Sequence, residues 1–408
     1  MLTAAFRAWA LGLLALALAA PPARAGGGPQ NVLLLVNERS PESIEVGEHY
    51  ARARGLHPLN VLRLRAPVDT EIPFDAYETA IAGPVALHLE RTGLGPQIDY
   101  IVATQGFPLR LVLPKGSPQR HLSLTAALQG LGADLSALPA TPAGRLNPYF
   151  GVHKAFAHAE ALAGGKVRIR LTAMLAGFSA ADAKGLVDRA LQAEAAPPPK
   201  GLFLFQDARA NAKARNETYD QAANLLGAEG LEARRIGPGA EALKEIPPLI
   251  CWFSGGSYSG LTREAIRALS FRPGAIVDML QSFGAVPANF VDDGKFQQVP
   301  IAWAVEAGAT GVHGAVAEPY TAAFPDPGTA LLYARGFNLA ESFFGRIRTF
   351  WWQNLLLGDP LCAPFARRPE FACSLERLPP GPVGGRLELA VEGEDLAGSE
   401  LFPEGLRA

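Results

Sequence analysis

The chain of 408 residues has little cysteine, little charge and no excess of either sign. Three cysteines in a chain this long do not make a disulfide scaffold, and a chain of this length needs none. Lys and Arg number 37 against 39 Asp and Glu, a net charge of −2. Without a basic excess there is no electrostatic footprint for nucleic acid or an anionic membrane surface. Beyond the N-terminus no apolar run reaches membrane-spanning length. Metal-binding spacings are also missing. Neither H-E-x-x-H nor C-x-x-C occurs, and His49, His57, His88, His121, His153 and His158 are scattered. His153 and His158 are five apart and would not share a helix face. No metal or other cofactor is implied. Asp292-Asp293-Gly294 lacks the remaining ligands of a calcium loop and reads as a solvated turn.

What is present is apolar. Hydrophobic residues make up 49%, enough to bury a core, and 43 Gly with 34 Pro predict many turns. Arg7, the 12-residue apolar run Trp9–Ala20 and the A-x-A site Ala23-Arg24-Ala25 predict a signal peptide over residues 1–25. The expectation is a protein exported to the periplasm or the outside, with no membrane span after cleavage.

The rest alternates apolar runs with helical stretches. Asn31–Val36 reads as a buried strand, Ser40-Pro41 as a helix start, and Asn60–Leu64 as the next strand, a complete βαβ unit. Glu71–Leu89 is helical in period, Ile98–Thr104 a buried strand, and residues 112–165 a long excursion with one helical piece near Ser123–Leu131. Lys166–Leu175 reads as a strand, and Ser179 starts a helix to about Glu194. Pro197-Pro198-Pro199 marks the best boundary, between an N-terminal α/β region (26–196) and a C-terminal one (200–376). Leu202–Phe205 and Leu249–Phe253 are further strands, and Asn338–Phe344 is helical. Residues 377–408 form a Pro/Gly-rich tail. The fold class is α/β, a mostly parallel sheet with helices on both faces.

Gly274–Tyr320 is the organising stretch. The run Ala275–Leu280 ends at the corner Gln281-Ser282-Phe283-Gly284, and Thr310–Val316 carries His313 and ends at Glu318-Pro319. Chemistry in open parallel sheets gathers at strand carboxyl ends. Ser282, Asp278, His313 and Glu318 are the catalytic candidates by that position. Against this, His313 lies within an apolar strand and reads rather as a structural imidazole satisfied by hydrogen bonds, and Ser282 lacks a G-x-S-x-G elbow. Asn37, Glu38, Thr104 and Gln105, and Ser254, Ser257 and Tyr258 of a small-residue loop, are ligand-binding candidates at other strand ends. Capping and turn formation is the alternative for the first four. Cys251 lies inside an apolar run and reads as an inert buried thiol; Cys362 and Cys373 could pair in an oxidising compartment. Phe350-Trp351-Trp352 beside an apolar run reads as core packing ahead of a patch that binds carbohydrate or a peptide.

Residues 31–64 (NVLLLVNERSPESIEVGEHYARARGLHPLNVLRL), IDYIVATQGFPLRL, GATGVHGAVAEPY, NLAESFF and LLLGDPLCAPF together resemble a bacterial family of exported proteins to which no activity is attached. The C-terminal half also resembles the caspase-like gingipain-type cysteine peptidases. Gly308–Gly314 and Leu357-Gly358-Asp359-Pro360 match that pattern. Where those enzymes carry the catalytic histidine and cysteine, this chain has Ser254-Gly255-Gly256-Ser257 and Gln281-Ser282. The resemblance implies a peptidase-like frame without its dyad. Two readings follow. One is a non-catalytic relative that binds a protein, peptide or envelope polymer. The other is a hydrolase of peptide or ester bonds using Ser282 and His313.

Overall fold

The computed structural model describes residues 26–132, 146–152, 154–156, 168–208, 213–255 and 260–366. The expected signal peptide, the tail after 377, Ser257, Tyr258 and Cys373 lie outside them. Thirteen strands are described. In chain order, the first seven are β1 (Val32–Asn37), β2 (Val61–Leu64), β3 (Glu71–Pro73), β4 (Tyr100–Thr104), β5 (Arg110–Val112), β6 (His121–Ser123) and β7 (Leu171–Leu175). The other six are β8 (Leu202–Gln206), β9 (Ala233–Ile236), β10 (Leu249–Ser254), β11 (Phe271–Met279), β12 (Gly311–Ala315) and β13 (Asn354–Gly358). Ten of them form one sheet in the order β2-β1-β4-β7-β13-β12-β11-β10-β8-β9; β3, β5 and β6 form a small second sheet. The expected mostly parallel α/β class is what the structure shows.

The helices are α1 (Pro41–Arg54), α2 (Phe74–Tyr77), α3 (Gly83–Thr92), α4 (Leu124–Gln129), α5 (Ala180–Glu194) and α6 (Lys213–Asn216). They continue with α7 (Tyr219–Ala228), α8 (Arg263–Arg267), α9 (Ala302–Glu306), α10 (Gly328–Ala334) and α11 (Leu339–Phe344). Local chemistry sets several starts. Ser40 accepts from the Ser43 amide with Pro41 at the first helical position. Ser179 and Asp182 form a capping box, as do Asn338 and Glu341. The helical period expected over 71–89 is broken. Glu71–Pro73 pairs with β5 instead, and residues 78–82 form a wide π-helical turn between α2 and α3.

Contacts at both edges fix the sense of the strands. At one edge, Arg189 of α5 donates to Ala309 O just before β12. Arg54 and Glu194, at the ends of α1 and α5, meet there near Asp359, which follows β13. At the other edge, Arg110 donates to Val316 O just after β12, and Phe178, after β7, packs on Phe296. The carboxyl ends of both parallel groups therefore open on one edge. β13 is antiparallel to β12 and meets β7 at one pair, Leu357 with Met174. That isolated pair has parallel-type bonding, yet Asn354 at its start lies by Ala323 and Asp359 at its end by Arg54. β13 thus runs back across the sheet. α1, α5, α8 and α9 share one face, and α4, α7, α10 and α11 the other. Residues up to Ala366 form one compact unit that contains both halves of the sheet.

Candidate functional site

The site is built on a row across three strands. Register places Phe253 of β10 beside Asp278 of β11, and Asp278 beside His313 of β12. Paired residues project from the same face, here the face covered by α7, α10 and α11. Nδ1 of His313 lies 2.6 Å from Asp278 Oδ1. An ionised carboxylate only accepts, so Nδ1 carries the proton. Arg215 Nη2 donates to the other oxygen, Oδ2. The guanidinium also sits 5.0 Å from the centre of the Phe253 ring. Asp278 and His313 are fully buried and Arg215 is 7% exposed. Burial disfavours charge on Arg215, but Asp278 more than offsets this and holds the guanidinium above its ordinary value. The imidazole stacks on Phe343 and meets Phe324 edge-on, each ring centre 5.7 Å away. Among the described residues, His313 Nε2 and Arg215 Nε and Nη1 have no hydrogen-bond partner.

Ser282 is held elsewhere. It lies three residues past β11, half-buried, and its Oγ donates to Glu318 Oε1 at 2.6 Å. Glu318 is exposed. Neither nitrogen of His313 bonds Ser282, so the expected Ser282–His313 dyad is not formed. The reason is directional. His313 is the third residue of β12 and leaves from the face of the sheet, whereas Ser282 lies beyond its edge. A carboxylate without an imidazole does not make the activated serine of an acyl-transfer triad. Cys251 offers no substitute. Burial, and then the charge of Asp278, push its thiol well above the ordinary range.

The other candidates divide. Asn37 and Thr104 sit where β1 is flanked by β2 and β4, the point at which strand order reverses. Asn37 Nδ2 donates to Gly106 O at 2.8 Å, its Oδ1 accepts from Arg39 N, and its own amide donates to Ser43 Oγ at 2.7 Å. Thr104 Oγ1 shares a 2.5 Å hydrogen bond with Ser43 Oγ and bonds Leu35 O. Both are buried and close the loop onto the strands. Gln105 ties Glu42 to the Gly177 amide, and exposed Glu38 bonds Leu64 O through its backbone. Ser254 is buried at the end of β10. Beside it, Gln206 ends β8 and accepts from the Gly255 amide at 3.3 Å.

Sequence reasoning missed several residues at this edge. Arg110 of β5 pairs with Glu71 of β3 and donates to Val316 O at 3.0 Å. By register His121 of β6 projects from the same face as Arg110. Burial, then the Arg110 guanidinium, hold the His121 imidazole below its ordinary value. Tyr320 is 64% exposed and has φ 66° and ψ 147°, a conformation suited to glycine. Holding a tyrosine there costs about 1–3 kcal/mol. Its ring stacks on Trp352, centres 6.5 Å apart, and Trp352 Nε1 donates to Pro319 O. No sequence pattern marks these residues. Among the described residues no cluster of His, Cys, Asp or Glu could hold a metal ion. Asp292 pairs with Arg263 and Asp293 caps its own turn. Cys362 is buried, its sulfur 3.3 Å from Tyr333 Oη.

No protein-family model matches the chain, and no curated protein does. Two solved structures are similar at low level. One, described as the structure of a protease, is 12% identical with a TM-score of 0.48, over 87% of this chain and 83% of that one. The other is a periplasmic ribose ABC transporter protein from Conexibacter woesei. It is 11% identical with a TM-score of 0.20, over 82% of this chain and 93% of that one. At these values neither likeness bears on the chemistry of the site.

Proposed function

We propose that this is an exported binding protein without covalent chemistry of its own. It holds a peptide or an envelope polymer along the carboxyl edge of β10, β11 and β12. One observation carries this reading. The imidazole that a hydrolase would need is fully buried, bonded to Asp278, and not bonded to Ser282. What remains at the surface is a recognition set: the Ser282–Glu318 pair and the exposed Tyr320 ring. An aromatic platform beside a hydroxyl and a carboxylate suits stacking plus hydrogen bonding. Export rests on the sequence of residues 1–25, and the resemblance to a peptidase frame on the Gly308–Gly314 and Leu357–Pro360 motifs.

The test joins chemistry to binding. The purified mature chain and its Ser282→Ala variant are treated with a serine-reactive fluorophosphonate, and pull-down is measured on immobilised cell-wall polymer and on a peptide library. We expect no labelling of either protein, and retention that drops when Tyr320→Ala or Glu318→Gln is introduced. Labelling that vanishes in Ser282→Ala would restore the hydrolase. Retention unchanged in both edge variants would remove this edge from binding.

A further inference from the structure

A cavity of about 300 Å³ lies between the segment 74–86, Leu122 of β6, the end of α4 and Trp351. Three unusual backbone features converge on it. The π-helical turn 78–82 forms part of one wall. Such turns are rare and are often found at functional sites. Trp351, opposite, has φ 49°, which a side chain other than glycine's seldom adopts. The Nε1 edge of its indole comes so close to Gly130 that a Cβ there would fall 1.3 Å from Nε1, so only glycine fits beside it. Backbone strain of this kind persists where surrounding structure enforces it, and it gathers at ligand clamps.

The lining chemistry is specific. Phe74, Tyr77 and Trp351 supply three aromatic side chains; the first two have ring centres 5.3 Å apart. Glu78 is the one charged residue among those lining the cavity, and no Lys, Arg or His is with it. It is exposed, and its backbone carbonyl accepts from the Gly83 amide to close the π-helical turn. Aromatic faces and a carboxylate both attract positive charge, and the carboxylate repels anions. The volume suits a small ligand or one side chain.

We propose that this cavity is a binding site for an organic cation, a quaternary ammonium or alkylated amine group, held by Trp351 and Tyr77 and neutralised by Glu78. Ser282, Glu318 and Tyr320 are not among the residues that line it. The probe is choline, with 3,3-dimethylbutan-1-ol as its uncharged isostere and acetate as an anion, titrated into the full mature chain by calorimetry and indole NMR. We expect saturable choline binding about tenfold tighter than the isostere, as a partly desolvated cation–π contact gives. Glu78→Gln should weaken choline about tenfold while leaving the isostere unchanged. Trp351→Ala should abolish choline binding. Glu78 is exposed, so its variant tests the idea even if Trp351→Ala fails to fold. Equal binding of choline and isostere, no saturable binding of choline, or choline affinity unaltered in Glu78→Gln would each overturn the proposal.

Discussion

Two buried ionic clusters lie in this sheet, and they are finished differently. Near the amino edge, Arg54 uses Nε on Asp359 and both terminal nitrogens on Glu194, at 2.6, 2.7 and 2.9 Å. Asp359 accepts in addition from Tyr50 Oη at 2.9 Å and from the Leu361 amide. Every nitrogen of the guanidinium is engaged. In the C-terminal half, Arg215 spends one nitrogen on Asp278, and Nε, Nη1 and His313 Nε2 are left without partners among the described residues. The first cluster joins α1, α5 and the segment after β13, so it ties the two halves of the sheet together. The second joins neighbouring strands to the short helix α6. Buried donors without partners are uncommon and costly. The Asp359 cluster is thus a joint made for cohesion. The Asp278 cluster is less saturated, and its integrity hangs on one carboxylate.

The sharpest way to break that contrast is to remove each carboxylate in turn. Asp278→Ala leaves a buried guanidinium with no countercharge and strips Nδ1 of His313 of its acceptor. We expect a loss of about 3–5 kcal/mol in urea unfolding. Adding Arg215→Met to Asp278→Asn should recover most of it. The charge is then gone, and the amide that replaces the carboxylate still accepts from His313. Asp359→Ala should cost less, about 2–3 kcal/mol, because Glu194 still pairs with Arg54 through two hydrogen bonds. If Asp359→Ala proves the more damaging, saturation is not what separates the clusters.

Much of the frame was legible because its cues are local. Uninterrupted apolar runs located β1, β4, β8, β10 and β12, and Ser40-Pro41 and Ser179 marked helix starts. The three-residue strand β3 was not legible, since Glu71-Ile72-Pro73 is too short for any period and is held by pairing with β5. The site was read in part. Asp278 and His313 were rightly placed on neighbouring strands, but position along a strand does not say whether a side chain leaves by the face or the edge. That distinction separates His313 from Ser282. Arg215 was missed because it precedes Asp278 by 63 residues in a segment without a motif. Tyr320 was missed because its exposure depends on a strained turn.

A third cluster extends the contrast to the surface. Arg263 and Arg267 both pair with Glu306, and Arg263 also holds Asp292. Hydrogen bonds from Arg263, opposed by slight burial and helped by Arg267, bring the Glu306 carboxyl down to about 2. A carboxyl depressed in the folded state adds stability above its unfolded value, near about 4.3, and loses it as pH falls toward about 2. The difference between the wild-type chain and Glu306→Gln should therefore be present at pH 7 and shrink steadily below about pH 4.5. It should be the smallest of the series, since solvent screens an exposed pair, and high salt should erase most of it. The Asp278→Ala loss should hardly respond to salt, because its partners are buried. Equal salt sensitivity in the two variants would mean that water reaches the Asp278 cluster. The unpartnered nitrogens of Arg215 and His313 would then be hydrated, and the contrast with Asp359 would rest on geometry alone.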